Sequence, residues 1–371
     1  MISSIHLSKA TTGESKSKRL HKLHTATHNY SVPLPEFISQ LSQALCATAS
    51  TAFNFIQNLY LITIDDSPTF VVPNTVFGIA AASTPTLLLL PSAFQTAPIL
   101  TLSWPYYLFT LLKTLTFNWM NLLIFDLANQ RSAGAEDKLN KPWRPIPAGR
   151  MTESQMRHWL LAALPLVLAF NHYVLDTGVE GCVLAILTWM YNDLGGGDEN
   201  WIIRNGVIAA AFGVYNLGSM KVAASTAAGL TISTTTITAT TPSAPLISPL
   251  GYAWGALISG VILTTMHVQD LKDVEGDRAR GRKSAPIVLG RTIASFTIAV
   301  PVLVWSVVCA SLWVSSVPVA AGVVSLGGYV AWRCVACVGD RKVDRRTWQL
   351  WCFWTAVLYL LPPLSGVARV K

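Results

Sequence analysis

The sequence predicts an all-α, polytopic membrane protein with about nine transmembrane helices. Composition, the length of the apolar runs and the placement of charge carry that expectation. Of 371 residues, 51% are hydrophobic and only 12% charged, where a soluble domain carries about 25% charged residues. The apolar runs reach the roughly 20 residues needed to cross a bilayer core of about 30 Å. They are continuous rather than alternating, so helices rather than a barrel satisfy the backbone in lipid.

Taken in order, residues 1–44 are expected to form a disordered, basic arm, with Lys16, Lys18, Arg19 and Lys22 among Ser and Thr. No apolar segment follows Met1 at signal-peptide distance, so the stretch reads as an arm and not a cleaved signal. Residues 45–70 are moderately apolar but interrupted by Asn54, Gln57 and Asn58, which suits an interfacial helix and a connection. A transmembrane domain is expected over 71–366, with spans near 71–91, 101–127, 153–172, 178–194, 203–220, 250–268, 293–315, 317–335 and 347–366. A Ser/Thr/Ala-rich stretch at 224–248 reads as a low-complexity loop, and 367–371 as a tail.

With these spans, the loops after the second, sixth and eighth lie on one side. They hold most of the basic residues, among them Arg131, Lys138, Arg278, Arg280, Arg341 and Arg345. The positive-inside rule places those loops and the arm in the cytosol. Topology thus accounts for the net charge of +8, and no nucleic-acid partner is expected, since no soluble basic face exists. Six scattered cysteines do not suggest a disulfide framework, and the lone pair Cys334 and Cys337 reads as two small helix residues.

Two of the basic loops are also acidic. Asp270, Asp273 and Asp277 follow an i, i+3, i+7 spacing that would put three carboxylates on one helix face. Such a stack repels itself unless a cation neutralises it, and oxygen ligands of this kind suit Mg²⁺ shared with a phosphate. Arg278, Arg282 and Lys283 follow as partners for a diphosphate. The second span ends in Asp126, Asn129 and Gln130, neighbours on one face, and continues to a proline-stiffened loop carrying Lys141 and Arg144. Juxtamembrane charge can serve merely to anchor helices in headgroups, but that does not explain two acidic stations at helix ends on one side. A transporter or scaffold is the remaining class, though transporters set their ionisable groups near the membrane midplane.

The order of these elements, with Arg144-Pro145-Ile146-Pro147-Ala148-Gly149 followed by D-x-x-D-x-x-G-D and Lys283-Ser284, resembles the UbiA superfamily of intramembrane prenyltransferases over residues 70–366. The resemblance implies nine helices around a central cavity, with two Asp-rich motifs at cytosolic loops that bind Mg²⁺ and the substrate diphosphate. It assigns Asp270, Asp273 and Asp277 to the second motif, Lys283 to its basic residue and Arg144 to the arginine of the proline-rich segment. The first motif, usually N-x-x-x-D-x-x-x-D, departs: Phe125, Asn129 and Ala133 stand at its positions. Asp126 keeps a carboxylate there, Asn129 offers an amide oxygen, and Glu136 or Asp137 is left to supply the missing charge. Tyr191-Asn192-Asp193-Leu194-Gly195-Gly196 resembles a fungal branch in which some members are membrane-bound terpene cyclases.

The resemblance therefore implies a Mg²⁺-dependent enzyme that ionises an isoprenyl diphosphate in a dry cavity. Trp104, Tyr106, Tyr107, Phe117, Trp119, Trp189, Tyr215 and Trp254 are the aromatic residues in or near the spans that could shield the cation. Transfer to an aromatic or other lipophilic acceptor, in terpenoid or meroterpenoid biosynthesis, is the outcome the breadth of the superfamily favours. Cyclisation to a terpene is the alternative. The endoplasmic reticulum membrane is the expected location, with the active-site loops cytosolic.

Overall fold

The computed structural model describes residues 34–89, 104–234, 247–337 and 340–365. Among the described residues the chain is helical, with turns, two 3-10 segments and one isolated bridge between Leu89 and Ile247. It divides into two units, Met1–Ile56 and Gln57–Lys371. The described part of the first is the beginning of helix α1 (Leu34–Thr63), which carries exposed apolar side chains such as Ile38, Leu45 and Phe53. Pro35 in its first turn suits a helix start. Residues 34–44, expected as disordered arm, are thus helical, and the rest of that arm lies outside the described residues.

In the second unit the principal helices are α2 (Ser67–Ser83), α3 (Trp104–Gln130), α4 (Gly134–Asn140), α5 (Glu153–Tyr173) and α6 (Gly178–Asn192). They continue as α7 (Trp201–Thr234), α8 (Pro249–Thr265), α9 (Val274–Arg280), α10 (Arg291–Trp313), α11 (Val317–Ala336) and α12 (Arg341–Tyr359). Leaving out the short α4 and α9, each helix from α2 to α11 packs on the next, and α12 closes back on α2. Among the described residues that closed ring has nine helices, and each expected span falls on one of them.

Local signals set the ends. Thr152 and Gln155 form a reciprocal capping box on α5. Ser248 caps α8, with Pro249 at its first position. Asp340 accepts from Val343 N at 2.9 Å, which starts α12 at Arg341 rather than at residue 347. The expected first span is cut short: α2 stops at Ser83, and Pro85 opens a separate turn, Pro85–Leu88. The fifth is longer than expected. α7 runs to Thr234 through the first part of the Ser/Thr/Ala-rich stretch, and residues 235–246 lie outside the described ones.

Among the described residues five helices, α3, α7, α8 with its 3-10 extension, α10 and α11, are long and apolar enough to cross a membrane. Their outward faces are apolar: Leu108, Phe109, Leu112 and Leu115 on α3, and Val300, Leu303, Val304 and Val307 on α10, are exposed. In water such a surface would be a liability, whereas hydrocarbon favours it. Pro73, Pro165 and Pro301 sit inside helices, which neighbouring helices make tolerable in a membrane bundle.

Candidate active site

A cavity lies within the second unit, walled by residues of α2, α3, α6, α7 and α12 and of the 3-10 segment Met266–Lys272. One part of its wall is apolar and aromatic, with Phe70, Phe125, Tyr191 and Tyr215 among Leu, Val and Ile. The rings pack on one another: Phe70 lies 5.7 Å from Tyr215 and 6.1 Å from Phe125, which lies 5.2 Å from Tyr191. The rest is highly charged. Asp66, Glu136 and Asp273 alternate there with Lys141, Arg204, Lys272 and Arg282, beside Asn129 and Gln269.

The carboxylates of the second acidic station separate. The chain is 3-10 helical over Met266–Lys272, breaks at Asp273 and restarts as α9. The expected single α-helical face therefore does not form, because a 3-10 turn advances side chains at a different angle. Asp270 is buried in an ion pair with Arg204, whose Nε also donates to the Tyr191 hydroxyl at 3.0 Å. Asp277 is buried against Arg282 at 2.9 Å. Asp273 alone of the three lines the cavity, paired with Lys272. Gly276 permits this arrangement. A Cβ there would stand 2.0 Å from Asn140 Nδ2, so only glycine lets α9 lie so close to the end of α4, where Asn140 donates to the Asp273 carbonyl at 3.1 Å. Gly281, at φ +78°, ends α9 in the left-handed region, and Arg282 N returns to the Asp277 carbonyl at 2.9 Å.

The first station is rearranged as well. Asp126 is buried and does not line the cavity, whereas Asn129 does, its amide donating to Asn192 Oδ1 at 2.9 Å. Of the two acids left to supply charge, Glu136 lines the cavity and Asp137 does not. Asp137 is buried against Arg144 at 3.0 Å, and Arg144 also reaches Asp66 at 2.6 Å and Asp65 at 3.8 Å. Arg144 thus stands behind the wall, joining the connection between α1 and α2 to the loop after α3. Lys141 is on the wall, 3.9 Å from Asp66. Arg278 and Lys283, expected as phosphate partners, are exposed and line no part of this cavity.

Sequence reasoning missed Asp66, Arg204, Lys272 and Asp198 as parts of the charged region. Asp198 and Glu136 together hold Arg280 and Arg282, with contacts of 2.9–3.1 Å. Of the eight aromatic residues noted from the sequence, only Tyr215 lines the cavity. Trp104 and Trp189 are exposed, and Tyr106 donates to the Ala223 carbonyl.

The charges shape one another. Burial alone would raise the Asp273 carboxyl, but Lys272 and Lys141 outweigh it and hold it below the usual carboxylate range. Glu136 is buried too and is held low by Arg282, Arg280 and Lys141. Asp66 is drawn well down against its burial by Lys141 and Arg144. All three cavity carboxylates are therefore anionic at neutral pH. Asp277 behaves otherwise: burial, opposed by Arg204 and reinforced by Asp270, pushes it up to about 6.

Among the described residues no three His, Cys or carboxylate side chains converge as a ready metal cage. On the cavity wall, Asp273 Oδ1 is buried without a hydrogen-bond partner, beside Asp66, Glu136 and the Asn129 amide oxygen. An all-oxygen donor set with an unspent acceptor and few ligands at any one point fits Mg²⁺ completed by phosphate oxygens.

Comparison with known proteins agrees with this architecture. Over 325 residues the chain is 26% identical to fumagillin beta-trans-bergamotene synthase of Aspergillus fumigatus, covering 84% of this chain and 95% of that one. It is 28% identical over 268 residues to the diterpene cyclase eriG of Hericium erinaceus, covering 70% of this chain and 78% of that one. It is also 28% identical over 228 residues to the polyprenyl transferase eriF of the same organism, covering 62% and 67%. These relatives are enzymes, and the model of the UbiA prenyltransferase family matches residues 124–358, which contain both acidic stations. With most of its length matched and a ring of apolar helices around a charged cavity, this integral membrane protein belongs to the UbiA prenyltransferase family.

Proposed function

We propose that this chain ionises an isoprenyl diphosphate and lets the resulting cation close on one of its own double bonds, the cyclic cation then losing a proton to an oxygen base to yield a neutral cyclic terpene. The observation that carries the reading is a single cavity with a charged part for the diphosphate and an aromatic part for the prenyl chain. Asp273, Glu136 and Asp66, with the Asn129 amide oxygen, are the residues that would hold Mg²⁺; Asp126, Asp137, Asp270 and Asp277 support them from behind. When bound, the metal neutralises charge on the leaving diphosphate. Lys141, Lys272, Arg204 and Arg282 orient the same group and stabilise the negative charge that grows as the carbon–oxygen bond breaks. The electron pair leaves with the diphosphate. Phe70, Phe125, Tyr191 and Tyr215 present π-faces to the cation and keep water from it.

The bergamotene synthase and diterpene cyclase relatives support cyclisation. Transfer of the prenyl group to an aromatic or other lipophilic acceptor is the second reading, supported by the polyprenyl transferase relative. The basic loops favour a cytosolic orientation of the charged end, and the endoplasmic reticulum is the membrane we assign.

The test uses membranes containing the protein, Mg²⁺ and farnesyl or geranylgeranyl diphosphate, with no acceptor. Diphosphate release with a cyclic hydrocarbon that disappears in Asp273→Ala is the expected result. Turnover only after an acceptor is added replaces cyclisation with transfer. No release by the wild type with any donor or acceptor would overturn both.

A further inference from the structure

A second, smaller pocket, open on one side, adjoins the cavity. Lys141, Lys272, Asp273 and Trp348 line both and form the partition between them. Asp65, Asn140, Trp143, Arg341 and Arg345 complete the smaller chamber. Four of its nine lining residues are cationic and two are carboxylates; Lys141 leans on Asp66 just outside at 3.9 Å, so among the described residues Arg341 is the lining cation with no carboxylate partner. Asp65 meets Arg345 at 3.4 Å and also serves Arg144, while Asp273 is taken by Lys272. Arg341 is anchored by the backbone carbonyls of Leu139 and Asn140, which orient its guanidinium without neutralising it. Arg345 stacks over the Trp143 ring at 5.4 Å. Trp348 is 4% exposed, and its indole N–H has no acceptor. Aromatic donors of this kind ordinarily find a partner when buried. A cationic chamber holding an unspent donor suits a compact, oxygen-rich anion.

We propose that this chamber is a second anion subsite, which receives inorganic diphosphate after the carbon–oxygen bond has broken. The inference rests on the ionisation reading above and extends it. No bond forms or breaks in the move. The anion, already carrying the electron pair of the broken bond, passes from the Lys141 and Lys272 side of the partition to Arg341 and Arg345. The cation remains among the aromatic rings, out of reach of recombination with its leaving group. Arg345 has a half-exposed side chain, so the chamber also leads the product toward water.

The test measures binding of radiolabelled inorganic diphosphate to the full chain in nanodiscs with Mg²⁺, together with product inhibition by the same anion. Arg341→Gln and Arg345→Gln should each weaken binding and raise the inhibition constant about tenfold, the loss expected for one charge-assisted contact. Arg278→Gln, outside both chambers, should change neither. If Arg341→Gln fails to fold, Arg345→Gln at the outer edge decides. Unchanged binding and inhibition in the folded variants would overturn the subsite while leaving ionisation standing. A wild type that binds diphosphate through Arg341 and Arg345 yet cleaves no prenyl diphosphate would do the reverse.

Discussion

After α3, the acidic residues nearest the expected motif turn away from the cavity. Asp126 is buried beside it, Asp137 is spent on Arg144, and Glu136 and the distant Asp66 supply the charge on the wall. After α8, the acidic pattern is complete in sequence, yet Asp270 and Asp277 are spent on Arg204 and Arg282, and Asp273 alone lines the cavity. A degenerate motif and an intact one thus offer similar numbers of carboxylates to a substrate. In both segments a buried arginine decides the matter, because an arginine shut away from water claims the nearest carboxylates. The carboxylates on the wall are paired as well, Asp273 with Lys272, Asp66 with Arg144 and Lys141, and Glu136 with Arg280 and Arg282, but these three face the cavity.

Substitutions at the two kinds of acid should separate cleanly. Asp273→Asn should cost about 10²–10³-fold in diphosphate release while leaving the thermal midpoint near that of wild type, as for the loss of one fixed electrostatic contact at a reacting group. A stability loss with little loss of specific activity would mark Asp273 as architectural. Arg204→Gln should lower both, destabilising by about 3–5 kcal/mol because Asp270 is left buried and unpaired and slowing diphosphate release because Arg204 also faces the cavity. Combining it with Asp270→Asn should recover much of that loss in detergent-melting measurements. Gly276→Ala should cost about 1–3 kcal/mol by forcing α9 off Asn140, and Asn140→Ala should relieve it. Smallest of all, Arg278→Gln and Lys283→Gln should each change diphosphate release by less than about twofold, since exposed charges contribute little. A larger effect would put them back in the site.

The helices were legible because a bilayer demands long apolar runs, and no tertiary knowledge is needed to find them. The same holds for the neighbourhoods of Asp126–Arg144 and Asp270–Arg282, which stand out as clustered charge at helix ends. Which member of each cluster lines the cavity was not legible. Asp66 sits between two apolar stretches and reads as an ordinary interfacial charge, and its role depends on Arg144, 78 positions away. Arg204, at the head of α7, reads as a flanking anchor until its pairing with Asp270 across 66 positions is seen. The 3-10 break before Asp273 has no proline or glycine to announce it. Capping misled the expectation for α12, where Asp340 starts the helix among charges that apolar periodicity leaves out. The first thirty-three residues lie outside the described ones, so the arm expected there stays an expectation.

Arg144 has a consequence for the order in which the protein is made. All three of its carboxylates, Asp65, Asp66 and Asp137, precede it in the chain, whereas Arg204 is made before its partner Asp270. Domains emerge from the ribosome N-terminus first, so Arg144 has its counter-charges waiting when it is synthesised. Arg341, Arg345 and Trp348 arrive last, on α12. A growing chain can neutralise its first station long before the smaller chamber is walled, and the bond from Arg345 back to Asp65, spanning 280 positions, is among the final stitches.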